Sequence, residues 1–188
     1  MVERVAAVEL PDEAGLDEGT RGFFARCREK IGFVPNVFRT YTMRAERFRK
    51  YQAFRNDLMG APSGLSELER EMVAVTVSSA NRCHYCIVAH GAMLRQLSGD
   101  ARFGDTIAVN YRAADLTPRQ RAMLDFAWKL TLEPNEVGDA DRAALRAEGL
   151  SDADIFDLTE VAAFYNFTNR FAIGLGITPN AEYQDMGR

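Results

Sequence analysis

Two cysteines and a histidine lie close together at Cys83, Cys86 and His90. The spacing i, i+3, i+7 places these three side chains on one face of a helix. The flanking residues are small or apolar, so this face is expected to pack against a core. Two thiols one turn apart can close a disulfide, and a thiolate near a helix N-terminus or a histidine is a strong nucleophile at neutral pH. The pattern therefore predicts thiol redox chemistry.

Glu71 lies on the helix predicted to precede the cysteines. If the two helices pack antiparallel, its carboxylate can reach His90, orient the imidazole and raise its basicity. The imidazole would then take the proton from Cys86, which is the usual arrangement of an activated thiol. Glu71 is flanked by other charged residues, so a solvent-exposed charge remains an open alternative.

The composition is that of an ordinary globular protein. The chain has 188 residues, 47% hydrophobic and 27% charged, with a net charge of −4. This length predicts a single domain over residues 1–188. The net negative charge and the absence of a Lys/Arg block give no reason to expect nucleic acid or a membrane surface as a partner.

The amino-terminal residues resemble neither a signal peptide nor a membrane span, because acidic residues interrupt the apolar stretch. We therefore expect a cytoplasmic protein, where a pair of nearby thiols is more often catalytic than structural. The cysteines number three, and Cys27 is expected to be a bystander on another helix. No glycine-rich phosphate loop or haem-attachment motif is present, so no organic cofactor is expected.

Helical signals dominate the chain, and no segment reads as a strand with a partner. Ser66 and Glu69 form a capping box, and Pro118 follows Thr117 as a second helix start. The fold class is therefore predicted as all-α. After an irregular segment over 1–18, the predicted helices cover residues 20–31, 36–59, 66–79, 83–97, 101–109, 118–133, 139–148 and 152–175.

The segment from Glu71 through Cys83 and Cys86 to His90 resembles the Glu…Cys-x-x-Cys-x-x-x-His signature of the alkylhydroperoxidase AhpD-like family, within the carboxymuconolactone decarboxylase-like superfamily. Within that family the chain is most similar to the peroxidase-related subgroup. The resemblance is strongest over the core motif, residues 66–97, and extends more loosely to residues 34–36 and 164–170. It implies an all-helical AhpD-like domain that assembles as a homo-oligomer.

By this resemblance the chain is a thiol peroxidase that reduces hydrogen peroxide or organic hydroperoxides. Cys86 would attack the peroxide and pass through a sulfenic acid, and Cys83 would resolve it as a disulfide. His90 would be the base and Glu71 the carboxylate end of the proton relay. A thiol three residues away is well placed to capture a sulfenic acid. The resemblance also implies a dithiol reductant, such as a lipoyl group.

The chain departs from the family signature at Tyr85, where the best-studied active sites carry a second histidine. Its other histidine, His84, lies one position earlier and about 100° around the helix. A tyrosine is a poor base at neutral pH. The departure therefore leaves the peroxidase rate and the reductant open.

Several alternatives remain at this point. A zinc site on the two cysteines and His90 lacks an evident fourth ligand, and a thioredoxin-like exchanger lacks its βαβ pattern. A dithiol oxidoreductase serving a partner protein, or a non-catalytic helical oligomerisation module, would also carry this segment.

A cluster of aromatic residues near the carboxyl terminus predicts core or subunit contacts. Three polar residues in the same stretch predict hydrogen bonds to buried backbone groups or an interface. These residues are Phe164, Tyr165, Phe167 and Phe171, and Asn166, Asn169 and Arg170.

Overall fold

The computed structural model describes residues 4–188, and within them every regular element is a helix. The all-α prediction is thereby confirmed. Nine α-helices follow one another with short connections, several of them single 3₁₀ turns. The α-helices are α1 (Glu18–Ile31), α2 (Asn36–Tyr41), α3 (Ala45–Gly60), α4 (Glu67–Ala80), α5 (His84–Ser98), α6 (Ala101–Asn110), α7 (Pro118–Leu132), α8 (Asp139–Ala147) and α9 (Asp152–Gly174).

Helix α4 is the centre of the core. It packs against α5, α6, α7 and α9, and every residue over 70–78 is buried. Because helices surround it, its sequence is apolar on all sides instead of along one stripe. The run over 72–77 contains several β-branched residues that could be mistaken for a strand, and in the structure it is buried helix. The capping box of Ser66 and Glu69 fixes where the helix begins.

A tight turn reverses the chain from α4 into α5. The amide of Cys83 donates to the Ser78 carbonyl (2.9 Å), and the amide of Arg82 donates to the Ser79 carbonyl (3.0 Å). These two bonds form the Schellman ending of a helix, which requires a left-handed residue. Arg82 takes that conformation with φ of 54°, at a cost of about 1 kcal/mol for a residue with a Cβ. The turn places Cys83 at the N-cap of α5, the antiparallel partner helix.

The long helix predicted over 36–59 is interrupted in the structure. Helix α2 ends at Tyr41, a 3₁₀ turn covers Thr42–Arg44, and α3 begins at Ala45. Arg44 leaves the helical region with φ −146° and ψ 75°. The aromatic spacing that predicted one helix continues through the break, so the pattern gave no sign of it.

The two ends of the chain lie against each other. The Ala7 amide donates to the Leu175 carbonyl (2.8 Å), and the Thr178 amide donates to the Val5 carbonyl (3.0 Å). The segment predicted as irregular over 1–18 contains a 3₁₀ turn at Glu13–Gly15, and its first three residues lie outside the described part. Within residues 4–188, the helices all fall short of the length and apolar character that a membrane crossing demands.

The aromatic cluster of α9 divides between the core and the surface. Phe164 and Tyr165 are buried within the chain, so these two residues are core and cannot form the predicted subunit surface. Phe167 is 54% exposed and remains available for such a contact, as does Ile173 further along the same helix.

Candidate active site

The two thiols occupy the amino-terminal end of α5. Cys83 is the N-cap residue and Cys86 lies in the first turn. Both are reduced in this structure, and their exposed fractions are only 1% and 3%. Both thiols pack in one apolar cluster with the carboxyl-terminal part of α9. The pKa of each thiol therefore depends on neighbouring protein groups more than on bulk solvent.

Cys83 is the more acidic member of the pair. Its interaction with the adjacent Cys86 thiol lowers the pKa of Cys83, and the amides of Cys86 and Tyr85 act in the same direction. Burial opposes them but does not prevail. When protonated, Cys83 Sγ donates to the main-chain oxygen of Asn169 (3.7 Å). The helix N-terminus thus favours a thiolate at Cys83.

Cys86 is affected in the opposite sense. Its interaction with Cys83, followed by burial, raises the pKa of Cys86 well above the ordinary range, and the side chain of Asn169 offsets this only in part. Two thiols in contact cannot both ionise easily, because the second negative charge would face the first. When one of the two thiols ionises, the charge is therefore favoured on Cys83 and the remaining proton on Cys86.

Glu71 and His90 form the pair expected from the sequence. His90 Nδ1 lies 2.8 Å from Glu71 Oε2. Glu71 is buried, with 6% exposure, which excludes the alternative of a solvent-exposed charge. The antiparallel packing of α4 on α5 brings them together. The edge-on ring of Tyr165, 4.6 Å between centroids, also holds the imidazole. With Nδ1 engaged, Nε2 is the ring nitrogen left for proton transfer.

A cavity of about 160 Å³ opens at this site, and both Cys86 and His90 line it, whereas Cys83 does not. A small molecule entering the cavity therefore meets Cys86 first. Helices α2, α3 and α5 enclose it, together with one residue each from α1, α9, the α1–α2 connection and the carboxyl-terminal segment. Its lining residues are Ile31, Pro35, Val37, Phe38, Tyr51, Arg55, Tyr85, Cys86, Ala89, His90, Met93, Thr168 and Tyr183.

Tyr85 does not replace the missing histidine as a base. Its hydroxyl accepts from the Val37 amide (3.2 Å), and burial raises the pKa of Tyr85 well above its ordinary value. The phenol therefore stays neutral and acts as a structural link between α5 and α2. His84, the other histidine, is exposed.

The buried amide Asn169 is a functional residue whose role the sequence left open. Its Nδ2 donates to Ser78 Oγ (3.0 Å), its Oδ1 accepts from Asn81 Nδ2 (2.9 Å), and its carbonyl accepts from Cys83. It is fully buried. Asn166 joins the same network through Asn81 (3.0 Å). These bonds tie α9 to the turn that carries the thiols.

Tyr51 and Arg55 are cavity residues that sequence reasoning missed. They lie four positions apart on α3, on the face turned towards α5. Tyr51 fitted the apolar stripe of its helix, and Arg55 looked like any surface cation. Only the packing of α3 across the cavity distinguishes them.

The structure thus brings together all four predicted residues: Cys83 and Cys86 at one end of α5, and His90 with Glu71 beside the same cavity. Cys27 lies on α1 in a separate apolar cluster. Within the described residues, no group of three or more Cys, His, Asp or Glu side chains is placed to hold a metal ion. The two thiols and His90 do not converge as zinc ligands would.

Comparisons with known proteins agree with this geometry. The model of the Carboxymuconolactone decarboxylase family matches residues 45–129, which include all four site residues. An uncharacterized peroxidase-related protein from Silicibacter sp. TM1040 is 48% identical. The match covers 99% of this chain and 97% of that one, with a TM-score of 0.95.

An alkylhydroperoxidase AhpD core protein from Ralstonia eutropha JMP134, also peroxidase-related and uncharacterized, is 43% identical. That match covers 100% of this chain and 98% of the other, with a TM-score of 0.95. The debrominase Bmp8 is 17% identical over 97% of this chain and 95% of its own, with a TM-score of 0.79, and at this identity the likeness concerns the fold alone. No curated protein matches the sequence.

Proposed function

Because the chain belongs to the AhpD-like group of the carboxymuconolactone decarboxylase superfamily, we propose that it is a cysteine-based, haem-free peroxidase. Its substrates are hydrogen peroxide or organic hydroperoxides. One observation carries the proposal: Cys86 and His90 line the same cavity, and His90 Nδ1 is hydrogen-bonded to the buried carboxylate of Glu71. This combination supplies a nucleophile, a base and an orienting group.

The first half-reaction oxidises Cys86. His90 Nε2 takes the thiol proton, and the thiolate attacks the terminal oxygen of the hydroperoxide. An S–O bond forms, the O–O bond breaks, and the alkoxide leaves with the proton returned by His90. The products are a Cys86 sulfenic acid and an alcohol, or water when the substrate is hydrogen peroxide.

The second step closes the disulfide. The Cys83 thiolate attacks the sulfenic sulfur, the S–S bond forms, and hydroxide leaves and is protonated to water. The lowered pKa of Cys83 suits this role, because the thiolate is the form that attacks. A dithiol then reduces the disulfide and becomes oxidised itself, returning both thiols.

The thiol that ionises more easily is not the one that a peroxide in the cavity can reach. We assign the attack on the peroxide to the thiol that it can reach. The resting charge favours Cys83, but only Cys86 faces the cavity. Since the two thiols are adjacent, the proton on Cys86 can pass to Cys83 or to His90 as the peroxide arrives. Attack by Cys86 and resolution by Cys83 therefore fit the site.

The burial of both thiols also bears on the alternatives. A dithiol oxidoreductase that serves a protein partner needs a sulfur the partner can touch. Cys86 is reached only through the cavity, which supports a small or slender reductant such as a lipoyl-type dithiol. A non-catalytic module gives no reason to bury a carboxylate against a histidine beside a thiol.

The proposal includes a cytoplasmic homo-oligomer. Reducing conditions there supply dithiols, and the exposed Phe167 and Ile173 on α9 offer apolar surface for a second copy. Neither feature is needed for the half-reactions within one chain.

Stopped-flow measurement of peroxide consumption, with a panel of thiol and dithiol reductants, tests the function. The expected result is turnover that a dithiol sustains, with a Cys83–Cys86 disulfide found by mass mapping. Cys86→Ser should abolish turnover, Cys83→Ser should accumulate a sulfenic acid, and the matched control Cys27→Ser should behave as wild type. Peroxide consumption that survives Cys86→Ser would refute the proposal.

A further inference from the structure

The cavity is apolar apart from one edge. Most of its lining consists of carbon-rich side chains such as Val37, Phe38 and Met93. Among the described residues that line it, Arg55 is the one with a permanent charge. A mostly apolar cavity with a single cation is complementary to a ligand that has an apolar body and one anionic group.

The guanidinium of Arg55 has donors to spare. It can donate five hydrogen bonds, and within residues 4–188 its one hydrogen bond is to Asn56 Oδ1, at a long 3.3 Å on the exposed side. No carboxylate in this part of the chain forms a salt bridge with it. The residue is half-buried, but its nitrogens are not among the fully buried polar atoms that lack a partner, so a ligand that enters the cavity can reach these donors.

The carboxylate that acts on Arg55 from inside the protein is Glu71. Its Oε2 is paired with His90 Nδ1 (2.8 Å). Burial alone would lower the pKa of Arg55, but Tyr165 and Glu71 outweigh it and raise it, so the side chain is cationic at every relevant pH. Glu71 thus lies within electrostatic range of Arg55 without neutralising it by direct contact.

A ligand in this cavity could contact Arg55 at one end and Cys86 at the other. Arg55 comes from α3 and the thiol from α5, and both face the same space. Arg55 also lines a neighbouring groove with Glu67, Glu71 and Gln96, which places it where the cavity meets the surface. A molecule anchored at Arg55 can direct its other end inwards to the sulfur.

We propose that Arg55 is a specificity-determining residue that binds the carboxylate of an organic hydroperoxide and directs the peroxide group to Cys86. This inference rests on the proposed peroxidase function and narrows its substrate class. The reaction is the one given above: the S–O bond forms, the O–O bond breaks, and the alcohol retains the carboxylate. The arginine binds the unreacting end of the substrate and takes no proton.

The test compares two hydroperoxides with the same body, cumene hydroperoxide and its para-carboxylate. The rate constant for thiol oxidation is measured in a single turnover of the fully reduced protein, so no reductant contributes. Wild type should prefer the carboxylate. In Arg55→Gln that preference should fall about 10- to 100-fold, the loss of a charge-assisted bidentate contact, and Arg55→Lys should keep part of it.

The matched control is Arg49→Gln, which removes a cation from the same helix outside the cavity. It should leave the preference unchanged. An equal loss of preference in this control, an unchanged preference in Arg55→Gln, or a wild type that favours the neutral hydroperoxide would each overturn the inference.

Binding of an inert carboxylate separates this inference from the peroxidase proposal. Calorimetry with 4-isopropylbenzoate should show at least about tenfold weaker binding to Arg55→Gln than to wild type. If neither hydroperoxide oxidises the protein but this difference is found, the anion site stands and the peroxidase function fails. If wild type and Arg55→Gln bind the carboxylate equally, or neither binds it, the anion site is refuted.

Discussion

Removing one thiol of the pair should change the ionisation of the other, and in opposite directions. In Cys86→Ala, Cys83 loses the interaction that contributes most to its lowered pKa. The main-chain amides at positions 85 and 86 remain, and so does burial, so the change isolates the contribution of the Cys86 thiol. The pKa of Cys83 should rise towards and beyond that of a free cysteine.

The magnitude follows from the kind of contact that is lost. A hydrogen bond to a charged acceptor contributes about 1.5–3 kcal/mol. Its removal should lower the ratio of thiolate to thiol at Cys83 by about 10- to 150-fold at a given pH. In Cys83→Ala the pKa of the remaining thiol should fall instead of rise. Cys86 loses the interaction that raises its pKa most, and burial is then the cause that still raises it. Its thiolate should form at lower pH than in wild type.

Thiolate absorbance in the ultraviolet, recorded against pH, measures both effects without any reagent having to enter the cavity. Each variant is compared on a Cys27→Ser background, so that one thiol titrates alone. Cys27 is a third thiol, and burial raises its pKa. The Cys27→Ser substitution removes its absorbance change from the titration curve, so that the curve reports only on Cys83 or Cys86. A Cys86→Ala curve that superimposes on that of the intact pair would refute the reasoning. So would a Cys83→Ala variant in which Cys86 becomes harder to ionise.

Three further predictions concern the relay, the buried amide and the assembly. His90→Ala should slow peroxide reduction at pH 7 by about 10²–10⁴-fold, with partial recovery near pH 9, because general-base assistance is lost; Glu71→Gln should act similarly but more mildly, and pH–rate profiles identical to wild type would contradict the relay. Asn169→Ala should lower the free energy of unfolding by about 2–4 kcal/mol in urea titrations, since Ser78 and Asn81 lose buried partners; a loss below about 0.5 kcal/mol would contradict it. Wild type should be a homo-oligomer by light scattering, and Phe167→Glu should weaken its association through the exposed face of α9; a monomeric wild type of 21.0 kDa would refute this.

The sequence by itself determined the fold class and four members of the candidate site, which are Glu71, Cys83, Cys86 and His90. The start of a helix can be predicted from a few neighbouring residues. A Ser or Thr hydroxyl and an acid or amide side chain three residues later accept hydrogen bonds from the free backbone N–H groups of the first turn. The capping box at Ser66 and the Thr117–Pro118 helix start both open helices in the structure. The spacing of Cys83, Cys86 and His90 is equally local, since three or four residues return a helix to the same face.

Local rules failed where non-local packing decides the backbone. The aromatic spacing over 36–59 continues through Arg44, yet the chain leaves the helix there. Phe164 and Phe167 are equally apolar, but one is buried and the other is half exposed. Helical periodicity describes which residues share a face, and it does not say which neighbour covers that face.

Tertiary structure alone decided how the site works. The 2.8 Å contact between Glu71 and His90 joins two helices, and it depends on the reversal at Arg82. The difference in pKa between Cys83 and Cys86 arises first from the contact of the two thiols with each other, and burial raises the pKa of Cys86 further. Arg55 acquires its place in the same cavity as Cys86 because α3, which packs against α2, α4 and α9, lines that cavity together with α5. Desolvation and charge act through space, so these properties exist only once the helices have assembled.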